Sequence, residues 1–122
     1  MEITVGKKTY DLVFGFDFLK YANKHRAIEM DGVGIGAGSM TKIEAGSAFK
    51  DPEVLLFILK CATSTETSKP SNEELEKFIE EAIINGTYIG FYDEVIAEIK
   101  KDAVLQQAIA GNQVIEAVAK AK

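Results

Sequence analysis

The residues best suited to nucleophilic or metal chemistry are one histidine, His25, and one cysteine, Cys61. A zinc site needs three or four ligands drawn from Cys, His and acidic side chains, so this pair argues against zinc. A Cys–His nucleophile needs an activated thiolate beside the imidazole. Cys61 lies instead within an apolar run, Val54–Ala62, which indicates a buried, protonated thiol. We expect His25 to be an exposed residue that supports the C-terminus of a helix.

Acidic side chains could provide acid–base catalysis or hold a hard cation, and four of them are closely spaced: Glu73, Glu76, Glu80 and Glu81. A catalytic acid needs partly buried surroundings that shift its pKa. These residues fall on the polar face of a predicted helix, where carboxylates serve solubility and helix support. Divalent-cation binding remains the alternative for this face.

A run of alternating glycines at positions 32–38 invites comparison with a nucleotide-binding loop. The pattern G-x-G-x-x-G would need glycine at position 37 or 39, where the chain has Ala37 and Ser39. The preceding segment, Lys24–Asp31, is also too polar for the buried strand that such a loop follows. We interpret Asp31–Gly38 as a loop or a poor strand, and we predict no cofactor and no metal.

Period-2 alternation at the start of the chain predicts a β-hairpin. Gly6–Lys7 fits a two-residue turn of type II′, whose first position needs a positive φ. An isolated hairpin is marginal in water, so it must lie on helices or pair with another chain. The apolar residues of the two strands are Ile3 and Val5, then Tyr10, Leu12 and Phe14.

Helical periodicity dominates after Asp17, which gives an α+β fold class: one mainly helical domain, residues 1–122, with an N-terminal β-hairpin and about four to five helices. A C-terminal tail, 111–122, is predicted to fray or to serve in docking. The predicted helices run from Asp17, as cap, to about His25; from Met40 to about Ala45, with a stop at Gly46–Ser47; from Pro52 to about Ala62; from Ser71 to Asn85–Gly86; and from about Gly90 as far as Ala110.

Two of these helices have strong local signals. Asp51-Pro52-Glu53 is a favourable helix start, and the residues that follow are apolar nearly all round, so this helix should be the buried centre, including Leu56 and Phe57. Ser71 and Glu74 form a capping box. The helix that they begin carries an apolar stripe at i, i+3, i+4, i+7 and i+8, which consists of Leu75, Phe78, Ile79, Ala82 and Ile83.

Charge excludes one class of partner. The net charge is −5, and Ser71–Asp102 alone carries nine acids and three bases, so the rest of the chain is close to neutral. Nucleic acid is an unfavourable partner because no basic cluster exists beyond pairs of lysines. The start, Met1–Val5, has no signal-peptide pattern, and no segment reaches the roughly 20 apolar residues that span a bilayer. We therefore expect a cytoplasmic protein that binds neither nucleic acid nor membrane.

The stripe of the last long helix is the candidate site for a protein partner, because buried aromatic and aliphatic anchors dominate such interfaces. Its members are Phe91, Tyr92, Val95, Ile96 and Ile99. The alternative is that the same stripe packs permanently on the helix Ser71–Ile84, as a surface helix normally buries such a face.

The order of these features resembles the tail assembly chaperones of long-tailed, siphovirus-type bacteriophages and prophages of Gram-positive bacteria. The resemblance covers most of the chain. It rests on Ile-Thr-Val-Gly-Lys-Lys-Thr-Tyr-Asp-Leu at 3–12, Phe-Gly-Phe-Asp-Phe-Leu at 14–19, Gly-Val-Gly-Ile-Gly-Ala-Gly at 32–38, Asp-Pro at 51–52 before an apolar helix that ends Cys-Ala-Thr, Pro-Ser-Asn-Glu-Glu-Leu-Glu at 70–76 and Phe-Tyr-Asp-Glu-Val at 91–95.

This resemblance implies a non-enzymatic chaperone that keeps the helical tape measure protein soluble until tail tube subunits polymerise around it, and that is absent from the mature virion. Members of this group are often also made as a longer product by ribosomal frameshifting, and the extension is associated with recruiting tube protein. Many copies per client favour a homo-oligomer, with the hairpin edge as one contact. Two alternatives remain: a small structural tail-completion protein, and a small acidic metal- or nucleotide-binding regulator or enzyme.

Overall fold

The computed structural model describes the chain over residues 1–29 and 39–110. Within these ranges a two-stranded antiparallel hairpin precedes six helices, so the predicted α+β class is confirmed. The elements are β1 (Glu2–Val5), β2 (Lys8–Asp11), α1 (Phe16–Glu29), α2 (Ser39–Ala48), α3 (Pro52–Ala62), α4 (Asn72–Asn85), α5 (Tyr88–Lys101) and α6 (residues 103–110).

The hairpin closes at Gly6–Lys7, as predicted, because Val5 pairs with Lys8. Gly6 has a φ of 64°, whereas Lys7 is not in the positive-φ region, which fits a type II′ turn rather than type I′. Ile3 and Tyr10 face each other across the strands and are both buried in the core, so the hairpin lies on the helices.

The second strand is shorter than predicted. The chain leaves the ladder after Asp11, and the backbone N–H of Val13 donates instead to the carbonyl of Ala62 at the end of α3, at 2.8 Å. Leu12 remains buried, although Phe14 is only half-buried. The predicted strand was too long because the apolar residues continue to alternate in the segment that follows Asp11.

The boundaries of α1 and α2 correct the sequence-based ones. Helix α1 begins at Phe16, so Asp17 lies in its first turn instead of capping it, and the carbonyl of Gly15 accepts the first helical bond, from Leu19. It continues four residues beyond His25, which is half-buried and stacks on Tyr21 at 4.1 Å between ring centroids. The prediction of an exposed His25 at a helix end was therefore wrong.

Helix α2 runs through the predicted stop at Gly46–Ser47 and ends at Ala48. The glycine has a packing role, because an added Cβ at position 46 would lie 2.3 Å from Cγ2 of Val54 on α3. Gly46 thus permits α2 and α3 to approach closely, at the cost in helix propensity that glycine carries.

Helix α3 is the centre of the core, as predicted. Its start is capped by the Asp51 carboxylate, which accepts a bond from the N–H of Glu53 at 2.8 Å. Helices α1, α2 and α4 all pack on it. Phe57 is buried and Leu56 is half-buried. The buried residues of the helix are Leu55, Phe57, Ile58, Leu59, Cys61 and Ala62, which confirms a buried thiol.

Helix α4 has the predicted capping box, and Gly86 ends it in the left-handed conformation with a φ of 76°. The backbone N–H of Ser71 donates to the Glu74 carboxylate at 3.1 Å, and this bond, together with the nearby Ser71 hydroxyl group, holds the pKa of Glu74 below its usual value. One member of the predicted stripe is misplaced, since Ile83 is 50% exposed.

Helix α5 begins at Tyr88, two residues before the predicted start, and does not continue to Ala110. It ends at Lys101 because Asp102 takes an extended conformation, with a ψ of 120°, and starts α6. The Asp102 carboxylate accepts a bond from the N–H of Leu105 at 3.0 Å, which is an N-cap interaction.

Two predicted features, the glycine-rich segment Asp31–Gly38 and the tail 111–122, lie outside the described residues. Within the described ranges, no helix combines the length and the apolar character that a bilayer crossing requires.

We predict opposite effects for two glycine-to-alanine substitutions within helices. Gly46→Ala should lower the free energy of unfolding by about 1–3 kcal/mol, because its Cβ overlaps Val54. Gly90→Ala should raise it by up to about 1 kcal/mol, since a Cβ there meets no atom within 4 Å and alanine favours the helix. Urea denaturation of both variants measures the difference. Equal effects would contradict the close α2–α3 contact.

Candidate protein-binding site

The five residues of the predicted partner site lie together on α5, but most of them face inward. Tyr92 and Val95 are fully buried and Ile99 is 3% exposed, while Phe91 and Ile96 are half-buried against the core. Helix α5 packs on α4, as expected if the stripe belongs to the core rather than to a binding site. A partner can therefore reach only Phe91 and Ile96 while α5 stays docked.

Phe91 borders a surface hollow of about 550 Å³ between β1, α4 and α5. Its ring meets that of Phe78 edge-on, with centroids 5.1 Å apart and an interplanar angle of 71°. Gly90 leaves open space on the same side, and Glu81 and Glu94 provide carboxylates at the rim. The hollow thus combines two aromatic rings with small and polar residues, and carboxylates lie on its border.

Three isoleucines are exposed at the junction of α4 and α5: Ile83 is 50% exposed, Ile84 80% and Ile89 53%. We call these three side chains the corner patch; Phe91 lies outside it, because residues 89 and 91 point about 160° apart on α5. Single exposed apolar residues are ordinary, but a group within seven positions of the chain indicates an interaction surface. The turn between them is fixed by Gly86 and by the N–H of Thr87, which donates to the Ala82 carbonyl at 2.9 Å.

Ile84 and Ile89 were not predicted as binding residues, although the sequence contains a usable signal for both. Consecutive residues on a helix point about 100° apart, so Ile83 and Ile84 cannot both enter a narrow buried stripe. Ile89 likewise falls outside the stripe of α5.

The corner patch adjoins the acidic surface of α4. Five glutamates of this helix, one lysine and no arginine give it a strong negative charge, and all five glutamates are exposed: Glu73, Glu74, Glu76, Glu80 and Glu81. Such a border favours a partner whose apolar stripe is flanked by basic side chains.

A second feature is the turn between α2 and α3, which α5 holds in place. The hydroxyl group of Tyr88 donates to the carbonyl of Lys50, and that of Tyr92 donates to the carbonyl of Asp51 at 3.0 Å. Lys50 adopts a positive φ of 54°, a costly conformation for a residue with a Cβ. Its ammonium group pairs with Asp93 at 2.9 Å and lies 5.4 Å from the Tyr92 ring centroid.

The side chain that this turn presents is Phe49, which is 86% exposed. Beside it is a groove of about 410 Å³ between α2, α5 and α6, to which its two chain neighbours, Ala48 and Lys50, contribute. Ile96 and Ile99 of the predicted site also line this groove. Phe49 was not predicted as a binding residue because it belongs to no periodic pattern.

No group of three potential metal ligands occurs within residues 1–29 and 39–110. Cys61 lies in the core at 1% exposure. The side chains of the site are thus aliphatic, aromatic and acidic, a set suited to holding another protein.

We predict that Tyr92→Phe lowers the free energy of unfolding by about 0.5–1.5 kcal/mol at neutral pH, since the Asp51 carbonyl loses a donor. Burial raises the pKa of Tyr92 from 10.0 to about 12. The unfolded phenol therefore ionises first, and this part of the stability is present below pH 10 and lost as the pH rises towards 12. The difference between wild type and Tyr92→Phe should narrow over that range in denaturation curves.

Tyr10→Phe is the matched control, because it removes a phenol hydroxyl from the hairpin and leaves the turn intact. It should keep the alkaline loss of stability seen in the wild type. A constant difference between wild type and Tyr92→Phe from neutral pH to pH 12 would contradict a buried, bonded phenol at position 92.

Comparison with known proteins identifies the group to which this chain is related. The family model described as phage tail assembly chaperone protein, TAC, matches residues 2–112. No curated protein and no solved structure shows significant similarity to the chain. The family match spans the hairpin and all six helices and agrees with a site built for protein contact. The chain therefore belongs to the family of phage tail assembly chaperones.

Proposed function

We propose that the protein is a non-enzymatic chaperone that binds the tape measure protein of its phage and keeps it soluble in the host cytoplasm until tail assembly. The host is expected to be a Gram-positive bacterium, and the chaperone should be left out of the virion. The observation that carries the proposal is the corner patch: a member of this family exposes three isoleucines beside an acidic helix.

The proposed client is a helical segment with an apolar stripe. Such a stripe needs cover in water, and a hydrophobic surface on a folded partner supplies it. The hollow beside Phe91, whose lining includes residues 85–87 of the same α4–α5 junction, can receive one side chain of the client. The glutamates of α4 would remain in solvent and give the complex a net negative charge, which opposes aggregation.

The burial of Tyr92, Val95 and Ile99 limits which residues of α5 a client can contact. A client could use these three residues only if α5 left the core, which would release the two tyrosine hydroxyl bonds to the α2–α3 turn. Contact with Ile83, Ile84 and Ile89 requires no such rearrangement. The proposed binding site therefore contains Phe91 from the sequence-based site and the three isoleucines. Tyr92, Val95 and Ile99 remain part of the core when the client is bound.

We predict that Ile84→Ser and Ile89→Ser each weaken client binding about 5- to 30-fold, the equivalent of losing about 1–2 kcal/mol of apolar burial. Co-expression with the tape measure protein of the same phage, followed by measurement of the soluble client fraction and of affinity by titration, tests this.

Phe16→Ser is the matched control, because Phe16 is 64% exposed on α1, away from the α4–α5 junction. It should bind like the wild type. Unchanged affinity in both isoleucine variants, with normal melting, would place the client elsewhere. A general loss in all three variants would indicate nonspecific adhesion.

We also expect the chaperone to be absent from purified virions while it co-purifies with tape measure protein from lysates of infected or induced cells. Quantitative mass spectrometry of both fractions measures this. A stoichiometric amount in gradient-purified particles would instead support the structural tail-completion protein.

A further inference from the structure

We infer that the outer edge of β1 binds an extended, basic segment of a partner protein, which pairs with it as a third strand. The inference goes beyond the corner patch, because it rests on the hairpin and α4 and does not depend on the identity of the client. The ligand class is a peptide in the β conformation with lysine or arginine at alternate positions. In such complexes main-chain hydrogen bonds supply affinity and the alternating side chains supply specificity.

The first observation is that the β2 edge of the hairpin is closed. The N–H of Asp11 points away from β1 and donates to the Glu66 carboxylate at 2.8 Å. The N–H of Val13, just beyond the strand, donates to the carbonyl of Ala62. The chain at and after the end of α3 therefore occupies this edge, as expected for a strand edge that is protected from pairing with other chains.

The β1 edge, in contrast, is open. The N–H of Leu12 donates to the carbonyl of Met1 at 2.8 Å, and such bonds alternate along an antiparallel pair, so the odd-numbered residues of β1 face β2. Glu2 and Thr4 direct their backbone groups the other way. Neither residue has a backbone partner on that side within residues 1–29 and 39–110. Two N–H and two C=O groups thus remain available to an added strand.

The second observation is a groove along this open edge. The hollow beside Phe91 adjoins a second hollow of about 370 Å³, and the two share Thr4, Phe78 and Glu81 in their linings. Together they extend from the hairpin turn to the α4–α5 junction. The half-buried side chains of Val5, Phe78 and Phe91 contribute apolar surface. A strand about 4.8 Å from β1 would place every second side chain over this surface.

Charge defines the occupant of the groove. Glu81 and Glu94 are exposed at its border, and neither has an ion-pair partner in the described part of the chain. Glu74 also lines it, although its carboxylate is engaged in the capping box, and Lys77 is the one base in the described lining. A peptide with alternate lysine or arginine side chains complements this border. A second β1 does not, because it brings Glu2 and no basic residue.

The test is the binding of a synthetic peptide to the full-length protein, measured by NMR titration. The probe has six residues of alternating lysine and valine, with blocked ends. N-methylation of every inner amide keeps its charge but removes its main-chain donors, so it should weaken binding at least about fivefold. Hydrogen exchange at the amides of Glu2 and Thr4 should slow when the unmodified peptide is bound, whereas exchange at Thr9 should not change.

Thr4→Pro and Thr9→Pro form a matched pair of variants. The two threonines face each other across the strands and their hydroxyl oxygens lie 3.2 Å apart, so both variants lose the same side-chain contact. Both N–H groups point away from the neighbouring strand, where an edge strand tolerates proline. Thr4→Pro should weaken peptide binding at least about fivefold by removing a donor from the β1 edge. Thr9→Pro should bind like the wild type.

Glu81→Gln tests the charge of the groove without altering the hairpin and should weaken binding about two- to fivefold. Glu80→Gln is its control, because Glu80 is exposed on the same helix but does not line the groove. Equal affinity for the plain and N-methylated peptides overturns the inference, as does a normally melting Thr4→Pro variant that binds like the wild type. If Thr4→Pro fails to fold, unchanged exchange at Glu2 and Thr4 in the peptide-saturated wild type overturns it.

Discussion

The constraint on which the structure depends is that α3 is apolar over most of its circumference, so every side except that of Glu53, Leu56 and Lys60 must be covered. A helix with so wide an apolar face needs several neighbours. Helices α1, α2 and α4 supply them, and the backbone of Val13 bonds to the end of α3. Gly46 belongs to the same solution, because the absence of a side chain there lets α2 approach Val54.

Helix α5 is tied to this centre through the beginning of α3. Two tyrosines on its buried face reach the carbonyls of Lys50 and Asp51, so the turn that begins α3 and the helix that carries the stripe are held as one unit. The tyrosines use rings for core packing and hydroxyl groups for the turn, as their mixed character allows. Because the stripe is buried in this way, a partner can reach α5 only at the two flanks of the stripe.

Local sequence signals predicted the elements whose ends are set locally. The Asp51–Pro52 start of α3, the Ser71 capping box and the Gly86 stop are each contained within a few residues, and all three agree with the structure. The helix boundaries that were predicted incorrectly depend on contacts between residues far apart in the sequence. Helix α2 passes Gly46 because that glycine serves a contact with α3.

The same distinction explains what could be predicted of the site. The sequence indicated that α5 is amphipathic but not which neighbour would cover its stripe, so packing on α4 and partner binding both stayed open for Phe91, Tyr92 and Val95. The exposure of Phe49 and Ile84 depends on how whole helices pack. Only the tertiary structure shows that both side chains are exposed.

The distribution of charge accounts for how a chain with several exposed apolar side chains can remain dispersed. The acidic residues are concentrated on α4 and α5, beside the corner patch, where they oppose the approach of other acidic surfaces, including those of further copies. Repulsion therefore discourages contact between copies at this surface, although its exposed side chains are apolar. In the proposed complex the α4 carboxylates stay in solvent, so the same charge that separates the copies also keeps the bound client dispersed.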